Sequence, residues 1–332
     1  MLQRAGGSDV VFSREIFDID AMADEKGDGI GEDYLQLDTR PFWARWTSVN
    51  LPASVLQFTR EDVASLHKIR TPSDKWLFFI PLRMPDGVRW NGCAVSPDCY
   101  VVCPPSSEGL VLHAGAIEYA IVSVAAPDAV DLVDAIRGKL TTAVRALIIR
   151  PPVKEARALA SSLIEFRTTL RLPSDTTMTG ESIKEIVVRL HGALERCLRA
   201  AVVGELEKEH FRSPSSIVRR TEEVYRQRLA ERVSIAELSM VAGVSERSLR
   251  NAFHQVCMTS PKKYLRLVAL HQVRRSLRAA PDAHAAVTTA ATRHGFYELG
   301  RFAAQYRALF GEAPSETLHR ARGEQGFAHP LL

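Results

Sequence analysis

Ser234-Ile-Ala-Glu-Leu-Ser-Met-Val-Ala-Gly243-Val-Ser245-Glu-Arg-Ser-Leu249-Arg-Asn-Ala-Phe253-His254 is the stretch on which the fold of this 332-residue chain turns. It reads as a short apolar-periodic helix, a glycine turn and a second helix. Gly243 can take the left-handed conformation without steric cost, and Ser245 has the hydroxyl that N-caps the helix after it. The spacing predicts a helix-turn-helix.

The pattern returns at Ala286-Val-Thr-Thr-Ala290-Ala-Thr-Arg-His294-Gly295-Phe296-Tyr-Glu-Leu-Gly-Arg301-Phe302-Ala-Ala-Gln-Tyr306-Arg307. Between the copies, Pro261 to Ala280 opens with a Ser-Pro pair and carries Tyr264, Leu267, Val273 and Leu277 at helical spacing. A helix of about twenty residues is ~30 Å long, close to the ~34 Å of one DNA turn. Such a connector sets two readers into successive major grooves on one face of a duplex.

Ile235-Ala-Glu-Leu, Ala242-Gly243-Val-Ser245, Leu249, Phe253, Ser260-Pro261 and Tyr264-Leu265 stand at fixed spacing, followed by Ala290-Ala291, Gly295-Phe296, Arg301-Phe302, Tyr306-Arg307 and Phe310-Gly311-Glu-Ala-Pro314. In these residues the chain resembles the DNA-binding domain of the AraC/XylS family of transcription regulators. The resemblance covers about the last third of the chain. It implies double-stranded DNA as a partner, RNA polymerase as a second one, and a cupin-like sensor domain ahead of the DNA reader.

Helical spacing turns Leu249, Ala252, Phe253 and Val256 to the core, which leaves Arg247, Arg250, Asn251 and His254 outward. Arginine can be bidentate to guanine and asparagine to adenine, so these four are the candidate base readers, at positions that read bases in the family. In the second copy the matching positions are Leu299, Gly300, Ala303 and Ala304, which offer base edges no donor or acceptor. Arg301, Gln305 and Arg307 there, with Lys262 and Lys263 on the connector, suit phosphates instead.

Charge agrees with that partner. From Arg212 to Arg322 there are 19 Lys and Arg against 9 Asp and Glu, while the rest of the chain has 24 against 30. A basic C-terminal domain is what a polyanion requires. Five cysteines without a CxxC pair, and no signal peptide or long apolar run, suit a protein of the reducing cytoplasm that does not enter a membrane.

Toward the N-terminus, Tyr34 to Ala125 consists of short apolar or alternating runs broken by Gly, Pro and Asn, with a hairpin signal at Asn91-Gly92. This texture predicts a mainly-β sandwich or barrel, which the resemblance narrows to a cupin-like jelly roll. The expected division is residues 1–127 as effector-sensing domain, 128–211 as helical linker or dimerisation segment, and 212–332 as an all-α double helix-turn-helix domain. Trp43, Trp76 and Trp90 are candidates to line a pocket for a small organic effector, or else plain core.

Only His67 and His113 precede residue 150, and neither is in a His-x-His pair. On that count a metal-dependent cupin enzyme fused to a DNA reader, the competing reading, is disfavoured, and neither metal nor cofactor is expected. An architectural DNA binder without effector is the third reading.

The segment from about Gly180 to Lys208 reads as one long helix. Ile183, Val187, Leu190 and Leu194 alternate four and three apart, as in a dimer seam. The same spacing also serves packing against the chain's own strands. Phe211 to Ser216 is the expected hinge.

Overall fold

The computed structural model describes residues 11–25, 33–51, 54–136, 144–170, 180–208, 213–228, 233–279 and 286–326. In chain order, the N-terminal elements are β1 (Val11–Ile16), α1 (Ile19–Glu25), β2 (Asp33–Gln36), β3 (Ala44–Leu51), β4 (Ser54–Glu61), β5 (Ser65–Arg70), β6 (Lys75–Arg83), β7 (Arg89–Trp90) and β8 (Cys93–Ala94). They continue with β9 (Tyr100–Cys103), β10 (Glu108–His113), β11 (Ile117–Ala125), α2 (Val130–Asp134), β12 (Val144–Arg150), α3 (Val153–Thr169), α4 (Gly180–Ala200) and β13 (Val202–Lys208). The C-terminal elements are all helices: α5 (Pro214–Gln227), α6 (Ile235–Val241), α7 (Glu246–Cys257), α8 (Pro261–Ala279), α9 (Ala286–Arg293), α10 (Leu299–Phe310) and α11 (Pro314–Gly326). The chain separates into two compact units. One takes in Leu35–Pro41 and His210–Leu332, the other Gly7–Tyr34 and Phe42–Glu209.

In the strand unit an eight-stranded sheet, β1-β3-β4-β11-β6-β9-β12-β13, faces a five-stranded one, β2-β5-β10-β7-β8. Side chains of a strand alternate between its faces, and here both faces of the larger sheet are buried. Phe78, Ile80, Ala120, Val122, Leu147 and Ile149 point to a core shared with α2, α3 and α4. Their neighbours Leu77, Phe79, Tyr119, Ile121, Ala146 and Ile148 point to a second core with Ile69, Trp90 and Val111 of the smaller sheet. That is why Trp76 to Ile80 reads as an unbroken apolar run. At the β7–β8 hairpin Asn91 and Gly92 have φ of 52° and 88°, the two left-handed residues a tight hairpin turn needs. Gly109 admits the Trp90 ring, since a Cβ there would lie 2.6 Å from the indole.

Among the described residues these sheets are not closed into a barrel, so the mainly-β expectation holds in the form of two open, packed sheets. Two other expectations are corrected. The 128–211 segment is not a helical linker: β12 pairs with β9 and β13, so this stretch completes the larger sheet. The long helix stops at Ala200 because Val202 onward finds a strand partner, a tertiary contact that overrides local helical pattern.

The dimer seam is corrected in its second half. Leu190 and Leu194 are buried in the chain's own core with Val49, Leu56, Leu159 and Leu163, so this face of α4 packs inward. The exposed Val188 lies off that face. Ile183 and Val187 are on α4, but their side chains lie outside the described residues.

Candidate nucleic-acid interface

Both helix pairs of the C-terminal unit are built by one local device. Gly243 and Gly295 take φ of 66° and 79° after α6 and α9, and the next amides, Val244 N and Phe296 N, donate to Ser239 O and Ala291 O at 3.0 and 2.9 Å. The turn satisfies carbonyls that the helix end would otherwise orphan. Ser234 and Glu237 form a capping box on α6, while Ser245 Oγ accepts from Ser248 N to start α7. The second copy keeps the glycine turn, but Glu298 before α10 makes no side-chain cap bond. Arg220 donates to Ala242 O at 2.8 Å and so satisfies another α6 carbonyl.

What links the helices is a pair of buried polar networks within an apolar core. Tyr264 OH donates to Glu222 Oε2 at 2.6 Å, and Arg226 bonds the same carboxylate, tying α5 to α8. Burial, then the Glu222 charge, pushes the Tyr264 hydroxyl well above its usual range, so it stays a donor. In the second half Arg274, Thr317 and Arg320 converge on Glu312, and Tyr306 OH lies 2.8 Å from Thr317 Oγ1. His271 Nε2 accepts from Gln36 N at 3.1 Å, so the Leu35–Pro41 segment is anchored on α8.

On α7, Leu249, Ala252, Phe253, Val256 and Cys257 are buried. Arg247, Arg250, Asn251 and His254 are all exposed on the opposite face, joined by Ser248 and Gln255, which the sequence reading did not single out. Arg250 Nη2 lies 2.6 Å from Glu246 Oε2, one turn back.

Three of the remaining basic candidates meet in one place, with Gln305. Lys262, Lys263, Arg301 and Gln305 line a groove of about 790 Å³ with Arg266, Tyr297 and Glu298, and Leu37 and Thr39 form part of its wall. Arg307 is exposed on α10 but does not line it. Gln305 Oε1 accepts from Arg266 Nε at 2.9 Å, which leaves the Gln305 amide N–H groups to donate. Arg266 itself sits over Phe296, 3.8 Å from the ring centroid, and burial lowers its pKa from the usual arginine value.

The three tryptophan candidates do not line a common pocket. Trp43 is flanked by the Arg45 and Arg60 guanidiniums at 5.6 and 5.5 Å, Trp76 packs against the helix-side core, and Trp90 is buried in the core between the sheets. A cavity of about 200 Å³ lies elsewhere, lined by Ser162, Glu165, Phe166, Thr169, Ile186, Arg189 and Leu190.

The sequence reading also missed a buried polar cluster of the strand unit. Glu61, His67 and His113 converge there, with Ser65 among them. Register creates it: Ser65 and His113 are cross-strand partners on β5 and β10, and His67 follows Ser65 by two residues on the same face. Burial alone would raise the Glu61 carboxyl, but His67 and His113 outweigh it and hold it well below the usual carboxylate range. The one sequence signal was Ser65-x-His67 on a strand, which is weak without the pairing.

No helix among the described residues is long and apolar enough to cross a membrane. The family described as "Helix-turn-helix domain" matches residues 238–320. The XylDLEGF operon transcriptional activator of Pseudomonas putida is 30% identical over 169 residues, 51% of this chain and 53% of that protein. The chain thus spans about half the length of the curated relatives it matches first. The probable thc operon regulatory protein of Rhodococcus erythropolis is 37% identical over 86 residues, 26% of each chain. A solved structure of a probable AraC family transcriptional regulator from Rhodopseudomonas palustris is 38% identical, covering 32% of this chain and 97% of that one at a TM-score of 0.28. With two glycine-turned helix pairs in its sequence and relatives that are transcriptional regulators, the chain carries a C-terminal helix-turn-helix domain of the AraC/XylS type.

Proposed function

We propose that the protein is a sequence-specific DNA-binding regulator of transcription, which acts by binding and not by catalysis. The observation that carries this is α7, a capped and core-anchored helix whose exposed face holds Arg247, Arg250, Asn251 and His254. Those side chains offer both guanine- and adenine-directed chemistry in one helix-wide patch. Lys262, Lys263, Arg301 and Arg307 supply the sequence-independent phosphate term, with Gln305 as an oriented amide. The two pairs divide the work, since the exposed residues of α10 include Leu299, Gly300 and Ala304. Such a protein works in the cytoplasm, beside the chromosome.

Control by a small organic effector in the strand unit, dimerisation and contact with RNA polymerase belong to the same proposal. What supports the effector is the presence of a large acidic unit that DNA binding itself does not need, together with relatives named as operon activators. The half of α4 that packs inward leaves any dimer to another surface. The test is selection of bound sequences from random duplex DNA by the purified full chain, followed by mapping of its sites in the source genome. A defined motif upstream of an operon is the expected result. Binding without any sequence preference would overturn the reading and favour an architectural binder.

A further inference from the structure

From the Glu61, His67 and His113 cluster we infer that the strand unit holds a divalent transition-metal ion between its two sheets. The three ligand atoms are mutually close: Glu61 Oε2 lies 3.0 Å from His67 Nε2 and 3.3 Å from His113 Nε2, and the two imidazole nitrogens are 3.2 Å apart. Ligands at ~2.0–2.1 Å around a tetrahedral ion stand about 3.3 Å from one another, so these three edges already fit one face of such a site. Ser65 Oγ closes the fourth corner at 2.6, 2.7 and 3.1 Å from His67, His113 and Glu61. That corner is somewhat tight, and a small outward shift of the hydroxyl lets it bind or hold a water.

The surroundings orient the donors as outer partners do in metal sites. His113 Nδ1 donates to Gly115 O at 2.7 Å, which leaves its Nε2 lone pair facing Glu61 and His67. Tyr119 OH donates to the other Glu61 oxygen at 3.2 Å, and the Tyr34 ring packs 4.4 Å from the His67 ring. All three ligands are buried, with Glu61 fully shielded from solvent. A proton network can satisfy the same groups, but turning two imidazole Nε2 atoms and one carboxylate oxygen onto a single point is the arrangement a cation requires. Two imidazoles and a carboxylate select zinc, iron(II), cobalt or nickel over magnesium or calcium. The ion would lock β4, β5 and β10 together, and it is separate from any DNA contact.

The test uses the full chain after chelator treatment, titrated with Zn²⁺ and with Co²⁺. Expected are one ion per chain, a Co²⁺ absorption spectrum of low coordination number, and a melting temperature that rises with free metal. His113→Gln should weaken binding by more than the roughly 10- to 100-fold that loss of an outer partner costs, and Tyr119→Phe by about that amount. If the histidine variant does not fold, X-ray absorption of the Zn²⁺ wild type decides: nitrogen and oxygen ligands at ~2.0–2.2 Å support the site, and sulfur at ~2.3 Å overturns it in favour of the cysteines. No stoichiometric binding, or equal binding by a folded His113→Gln protein, also overturns it.

Discussion

Replacing Arg250 by alanine should remove a base preference, and the size of the loss follows from what Arg250 does before DNA arrives. Its guanidinium is paired with Glu246 at 2.6 Å, the two side chains being 53% and 44% exposed. An exposed pair one helical turn apart is worth only ~0.3–0.5 kcal/mol. A bidentate arginine–guanine contact is worth ~1–3 kcal/mol against the wrong base. Exchange of one for the other leaves ~0.5–2.7 kcal/mol, or roughly 2- to 100-fold in affinity at the preferred site. The assay is fluorescence anisotropy on the selected operator and on duplexes with each base pair permuted, at one fixed salt concentration. Arg250→Ala should flatten the preference at one or two positions. Glu246→Gln should raise affinity by no more than about 2-fold, because it only releases the competing pair. An Arg250→Ala protein that loses affinity for every duplex alike, with its preference intact, would refute the assignment and place Arg250 on phosphate.

Other outcomes follow from the packing. Leu194→Ala empties a fully buried position of the helix-side core and should cost ~2–5 kcal/mol by chemical denaturation, with the sedimentation coefficient unchanged. A lighter species would restore the dimer seam. Met258 ends α7 at φ 50°, a left-handed conformation that costs a side chain ~1–2 kcal/mol, so Met258→Gly should raise the stability of the helical unit; a lower melting temperature would count against it. Burial, then Arg293, lowers the pKa of His294 below its ordinary 6.5, so the folded state takes up its proton later than the unfolded one. Stability from His294 is therefore present above 6.5 and lost as pH falls below it, and His294→Gln should flatten that slope in pH-dependent denaturation.

How much was legible in the sequence depended on whether the information was local. Gly243, Ser245 and Gly295 announce their turns because backbone conformation and capping are properties of a few neighbouring residues. The outward face of α7 follows from spacing alone. Asn91-Gly92 told of its hairpin for the same reason. By contrast, β12 and β13 were hidden within a segment of helical texture, since their strand character comes from partners on β9 and on each other. The α4 stripe was read correctly as apolar, yet spacing has no way to say whose core it enters. The Glu61–His67–His113 cluster needs register and sheet packing together, so counting histidines along the chain undervalued it.

The scatter of the tryptophans has a spectroscopic consequence. All four, Trp43, Trp46, Trp76 and Trp90, are in the strand unit, and the unit that carries α5 to α11 has none. Tryptophan emission is therefore a one-sided signal, one that reports on the strand unit. Contact confined to the helical unit would leave that emission unchanged, whereas an effect that reaches the strand unit would alter it. By the reciprocity of linkage, the ligand or ion that alters operator affinity must be the one whose own affinity the operator alters. The chain thus carries its own probe of whether an operator alters the strand unit, with no label required.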